Sequence, residues 1–133
     1  MIAVDTNVIA YLYLTSPHSA QAERVLLKDS LWVAPILWRS ELRNVLTLYI
    51  RKKHLSLVQA QGVMEEALHL MNGHEYEVPS RHVLDLAAAS ACSAYDCEFV
   101  ALAKDLDIPL ITVDRQILKC FPGIAVAPEQ FGR

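Results

Sequence analysis

The stretch "IAVDTNVIAYL", residues 2–12, governs the reading of the whole chain. Ile2, Ala3 and Val4 have the pattern of a short buried strand, and from Val8 onward the apolar spacing turns helical. Asp5 stands between the two, at the strand's carboxyl tip. An Asp in that place is an ordinary helix N-cap, because its side-chain oxygen accepts an unpaired N–H of the first turn. It is also where open α/β sheets bind ligands, beyond the carboxyl ends of their strands. Which reading holds depends on what else the chain brings to the same edge.

The rest of the chain repeats the alternation. "SLWVAP" (30–35), "EYEVP" (75–79), "IPLITVD" (108–114) and "GIAVA" (123–127) read as further strands. Between them lie helical patterns. One begins at Ser16-Pro17, with Ser as cap and Pro at the first position, and continues through "AERVLLKD". A long one spans about Ile36 to His54. Another is opened by the Ser56/Gln59 capping box and stopped near Asn72-Gly73. "SRHVLDLAAASAC", "SAYDCEFVALAKDL" (with Ser93 as cap) and the short Arg115–Lys119 segment follow. This order predicts an α/β fold, with a parallel sheet of about five strands covered by helices on both faces.

The 133 residues suit one domain, 1–133, and 53% hydrophobic with 20% charged residues suffices for a sizeable core. No run is long and apolar enough for a membrane span, and the N-terminus lacks a signal-peptide pattern, so the expected location is cytoplasmic, with no membrane partner. Cys92, Cys97 and Cys120 make an odd count without a C-x-x-C pair, as expected of buried reduced thiols. The five histidines show no metal-ligand spacing. The net charge of −3 excludes a surface coated with positive charge, but "RSELRNVLTLYIRKKH" (39–54) could supply a local basic patch. A solvated helix face, with cations at its C-terminal end where the helix dipole favours them, is the simpler account of that segment.

Four acids stand in unusual places. Asp5 and Asp114 each follow a strand, so both belong to one sheet edge, and each could also be a cap. Glu41 has Leu37, Trp38, Asn44 and Val45 as helical neighbours, with Leu48 two turns on, and so falls on or beside an apolar stripe. A carboxylate there is paired, bound to a cation or reaching out to solvent. Asp96 lies in the first turn after Ser93, on the face that carries Val100 and Ala103. Glu98 is expected on the opposite, solvated side, and Glu65, Glu66, Asp105 and Asp107 at the surface. Two carboxylates about 4 Å apart repel by about 4 kcal/mol at an effective dielectric of 20, a conflict that a divalent cation removes. Oxygen ligands without His or Cys suit Mg²⁺ or Mn²⁺. With the four set aside, 11 of the 15 acids remain against 12 basic residues, so the rest of the chain is near neutral.

"VDTNVIAYL" (4–12), "APILWRSELRNVL" (34–46) and "SAYDCEFVALAKDLDIPLITVDRQI" (93–117), in this order, resemble PIN-domain proteins of the VapC toxin type. The resemblance runs from Ile2 to at least Leu118. It implies a three-layer α/β/α sandwich and a metal-dependent ribonuclease site holding one or two Mg²⁺ or Mn²⁺ ions. The family's four acidic positions map onto Asp5, Glu41, Asp96 and Asp114. Its small polar positions map onto Thr6, Asn7 and Thr112, and Asn7 and Thr112 would orient carboxylates or waters, or serve turns and caps. Arg39, Arg43, Arg51, Lys52 and Arg115 are candidates for RNA phosphate contacts. The family further implies cleavage to 5′-phosphate and 3′-hydroxyl ends, a homodimer and a cognate antitoxin protein. Two departures stand out. Cys97 replaces an Ala common among relatives, and Arg115, Gln116 and Lys119 follow the last acid where some relatives carry another acid.

Rival readings fare differently. A haloacid-dehalogenase-type phosphatase needs a second Asp where this chain has Asn7. A phospho-receiver domain lacks the Glu41 helix. A non-catalytic RNA-binding or regulatory module on the same fold remains the alternative, since fold alone does not dictate function.

Overall fold

The computed structural model describes residues 1–133. Its centre is β1 (Ile2–Val4), whose three residues are all buried. It pairs in parallel with β2 (Trp32–Pro35) on one side and β4 (Leu110–Ile111) on the other. β3 (Glu75–Tyr76) extends the sheet beyond β2, and β5 (Ala125–Val126) extends it beyond β4. The strand order is therefore β3-β2-β1-β4-β5, with every pairing parallel. Strands covered on both faces read as unbroken apolar runs, which is why "IAV" and "WVAP" show no polar alternation.

Eight helices cover the sheet. They are α1 (Thr6–Tyr13), α2 (Ser19–Lys28), α3 (Trp38–Arg51), α4 (Leu57–Leu70), α5 (Ser80–Ala88), α6 (Ala94–Leu106), α7 (Arg115–Cys120) and α8 (Pro128–Phe131). α6 lies against β1, β2 and β4 and packs on α5, while α1 to α4 pack on one another. The result is the three-layer α/β/α arrangement expected from the alternation of patterns. Trp32, Trp38, Phe99, Ile9 and Leu42 are among its largest fully buried side chains. No helix is long and apolar enough to cross a membrane.

The local signals mostly act as read. Ser56 and Gln59 form a reciprocal capping box on α4, and Gly73 takes a positive φ (79°) just after it. The expected start of α2 is corrected. The helix begins at Ser19, not at Pro17, and has His18 at its cap position. The reason is a local hydrogen-bonded turn. Ser19 Oγ accepts from Ser16 N and donates to Leu14 O, and His18 N donates to Ser16 Oγ. Ser16 therefore closes a turn and caps no helix. α8 has no counterpart in the sequence reading.

The chain runs outward from β1 to β2 and β3, then returns to place β4 on the other side of β1. The order reverses between β1 and β4, and the carboxyl ends of those strands are where such sheets bind ligands.

Candidate active site

Asp5 and Asp114 leave the two central strands at that reversal. Asp5 N donates to Ile111 O at 2.9 Å, which ties the end of β1 to the end of β4. Asp5 caps α1 by accepting from Thr6 N at 2.8 Å, and Asp114 caps α7 by accepting from Gln116 N and Ile117 N. Capping and site membership thus coexist, because Asp5 Oδ2 has other partners. It accepts from Thr112 Oγ1 at 2.7 Å and from Asn7 Nδ2 at 3.2 Å. Thr112 is 0% exposed, and its Oγ1 also accepts from Asp114 N. One hydroxyl therefore bridges two acids that are 109 positions apart. Asn7 Oδ1 accepts from Val113 N, closing the same web. Thr6 points the other way and donates from Oγ1 to Glu41 Oε1 at 2.7 Å.

The remaining acids arrive on α3 and α6. Leu42 and Leu46 bury one side of α3, which leaves Glu41 half-buried at the edge of that stripe. Asp96 sits in the first turn of α6, whose cap Ser93 accepts from Asp96 N. Asp5, Glu41, Asp96 and Asp114 line one open cavity of about 300 Å³ together with Thr6, Asn7, Asn44 and Val45. Larger cavities exist elsewhere, but none of them gathers these acids.

The electrostatics record the crowding. Burial first, then the charges of Glu41 and Asp96, push the Asp5 carboxyl up to about 6 against the pull of the Thr112 and Thr6 hydrogen bonds. Glu41 is also raised, first by burial, then by Asp96 and Glu98. Asp96 is raised by burial and by Asp114. None of the chain's three ion pairs (Met1–Asp29, Arg39–Glu75 and His82–Asp105) involves these four acids. No three His, Cys, Asp or Glu side chains converge tightly enough to enclose an ion on their own. The site thus offers an open row of oxygen donors, short of positive charge. This suits a cation such as Mg²⁺ that keeps several of its own waters, and it lacks the closed nitrogen and sulfur donor set favoured by zinc.

Other readings are adjusted by the structure. Glu98 is half-buried, not solvated, and lines a shallow cavity with Val78, Ser80, Val83 and Leu84. Arg39 is engaged by Glu75, which also accepts from Trp38 Nε1 at 2.8 Å, so this guanidinium braces α3 against β3. Arg43, Arg51, Lys52 and Arg115 are exposed, and none of them lines the acidic cavity. Asn44 and Val45, placed beside Glu41 by the sequence but not among its candidate site residues, do line it. Their helical distance from Glu41, three and four residues, was the available signal. The three thiols are free, and burial pushes that of Cys92 up to about 12, which leaves it inert as a nucleophile.

A parallel sheet that reverses order at a cavity lined by four acids defines the class. The chain belongs to the PIN-domain family, whose model matches residues 2–120. It is similar to the protein named ribonuclease VapC3 of Pyrobaculum aerophilum, with 29% identity over 126 residues, 92% of this chain and 96% of that protein. It is also similar to ribonuclease VapC1 of Mycobacterium tuberculosis, with 30% identity over 106 residues, 80% of this chain and 79% of that one. The crystal structure of PAE2754 from Pyrobaculum aerophilum shares the fold, with a TM-score of 0.79 at 20% identity, covering 98% of this chain and 92% of that one.

Proposed function

We propose that the chain is an endoribonuclease dependent on Mg²⁺ or Mn²⁺, working in the cytoplasm as the toxin of a VapBC-type pair. All 133 residues would form one PIN domain. The observation that carries this reading is the single cavity lined by Asp5, Glu41, Asp96 and Asp114 and by no cationic side chain. Membership of the PIN family and similarity to proteins named ribonucleases support it.

Asp5, Asp96 and Asp114 would hold one ion, directly or through water, with Glu41 free to share a second. When bound, the cation supplies polarisation of the scissile phosphoryl oxygen and a more acidic water. Asp5 is held in register by Thr112, Asn7 and the Thr6 amide, so its lone pairs are aimed before substrate arrives. Glu41, steadied by Thr6, faces the same cavity with raised basicity and would take the proton of the attacking water. Attack on phosphorus with loss of the 3′ oxygen leaves 5′-phosphate and 3′-hydroxyl ends. A homodimer and a cognate antitoxin belong to the same proposal.

The test is cleavage of a mixed RNA pool by the purified protein with Mn²⁺, with Mg²⁺ and with EDTA, beside Asp96→Asn. Metal-dependent cutting, reduced about 100-fold or more in the variant while its melting point holds, is the expected result. RNA binding without cutting under any metal would favour a non-catalytic module instead.

A further inference from the structure

A second cavity, of about 520 Å³, lies where α1 and α3 end, lined by Tyr13, Leu14, Thr15, Tyr49, Lys52, His54 and Leu55. That volume falls within the range of small-ligand pockets, about 300–1,000 Å³. It contains three ring side chains and a lysine, and no acid. Tyr49 and His54 meet edge to face, with centroids 6.0 Å apart.

The turn that builds it is one of two in the chain whose left-handed residue is not glycine, the other being at Asp107 after α6. α3 closes with a Schellman motif, in which His54 N donates to Tyr49 O at 2.9 Å and Lys53 N to Ile50 O at 3.0 Å. The residue at its centre must take a positive φ, where glycine is favoured; here Lys53 stands at φ 62°. The helix dipole accounts for cations at a helix end. It does not account for a lysine in the left-handed conformation next to Lys52, which lines the aromatic pocket; Arg51 and Lys53, its neighbours in the chain, are exposed as well. Such strain in a residue other than glycine is a pointer to function.

The pocket shares a helix face with the acidic cavity. Asn44 and Val45 line the acidic one, while Tyr49 and Lys52 line the other. Val45 to Tyr49 is four residues, and Asn44, Leu48 and Lys52 repeat at intervals of four. These are the intervals of one helix face, and Asn44 to Lys52 spans about 12 Å along the axis. Leu48, midway, is 45% exposed.

We propose that this pocket is a nucleotide subsite for single-stranded RNA. An unpaired base stacks against Tyr13, Tyr49 and His54, and Arg51, Lys52 and Lys53 take the adjoining phosphates, a few nucleotides from the acids. Rings beside cations, with no acid between, match a base next to its phosphate. The proposal rests on the nuclease reading only for the strand's continuation to the acidic cavity, and binding tests it separately.

The experiment is fluorescence anisotropy of a labelled, mixed-sequence single-stranded RNA decamer in EDTA, with melting points taken in parallel. Lys53→Gly should raise the melting point, because glycine relieves the turn, yet weaken RNA binding several-fold and lower the salt slope by about 1. His54→Ala should weaken binding and abolish quenching of a 2-aminopurine placed in the decamer. If both variants bind like the wild type, or the wild type does not bind, the subsite is overturned and the pocket passes to a protein partner. Cleavage assays then separate the two readings. Binding that fails in the variants, with no cleavage in Mn²⁺, keeps the subsite and removes the nuclease. Cleavage with an unchanged KM in both variants does the reverse.

Discussion

Replacing Asp5 by Asn should stabilise the metal-free protein at neutral pH, although it removes the central acid of the site. Asp5 is 8% exposed, and its carboxyl is pushed from the usual 3.8 to about 6, chiefly by burial. The unfolded chain ionises near the ordinary value and the native chain only near 6. Below pH 3.8 the residue therefore costs nothing. As pH rises through the interval, native stability falls, by about 1–2 kcal/mol at pH 5 and about 3 kcal/mol at pH 7.5. Asn carries no charge and escapes this cost. It still accepts from Thr6 N, but its amide NH₂ meets the donors of Thr112 and Asn7 that now serve Oδ2. That mismatch costs about 1–2 kcal/mol at any pH. The variant should then match the wild type near pH 5 and exceed it by about 1–2 kcal/mol at pH 7.5. Urea unfolding in EDTA at both pH values measures the offset, which should widen by about 1–2 kcal/mol between them. An offset that stays constant would refute the account of Asp5 as a strained, desolvated carboxylate. Saturating Mg²⁺ should reverse the order, because the cation binds the wild-type native state and relieves the repulsion.

Further outcomes follow from the same web. Thr112→Val leaves Asp114 N without its acceptor and Asp5 without its 2.7 Å donor. It should cost about 1–3 kcal/mol in denaturant and about 10–100-fold in metal affinity by calorimetry, with Thr112→Ser restoring both. Leu42→Ala empties a fully buried position beside Glu41 and should lower stability by about 2–5 kcal/mol in urea titration. Glu41→Gln keeps an acceptor for Thr6 but removes the base, so kcat for RNA cleavage should fall while RNA affinity in EDTA holds; equal loss of both would point to a binding role.

Much of the fold could be read early, because covered strands and capped helices carry local signals. Asp5 and Asp114 were legible as strand-end acids, and Ser93 and the Ser56/Gln59 box as caps. What escaped depends on partners distant in sequence. Arg39 looked free until Glu75, 36 positions away, claimed it. Glu98 looked solvated until α5 came to lie beside it. The aromatic pocket joins Tyr13 to Tyr49 and His54, and no window of sequence contains all three. Ser16-Pro17 failed for a local reason, since Ser19 offered the turn a better hydroxyl.

The bond between Asp5 and Thr112 also has a consequence in time. β1 is made first, yet its neighbour β4 begins at Leu110, and Thr112 and Asp114 follow it. At about 5–20 residues per second, the ribosome holds the early acids apart from the late ones for about 5–20 s. Under the proposed function, a nascent or prematurely terminated chain lacks the last acid and cannot cut the RNA around it. The order of the strands thus works as a safety catch, released only once Asp114 has been made and has reached the end of β1.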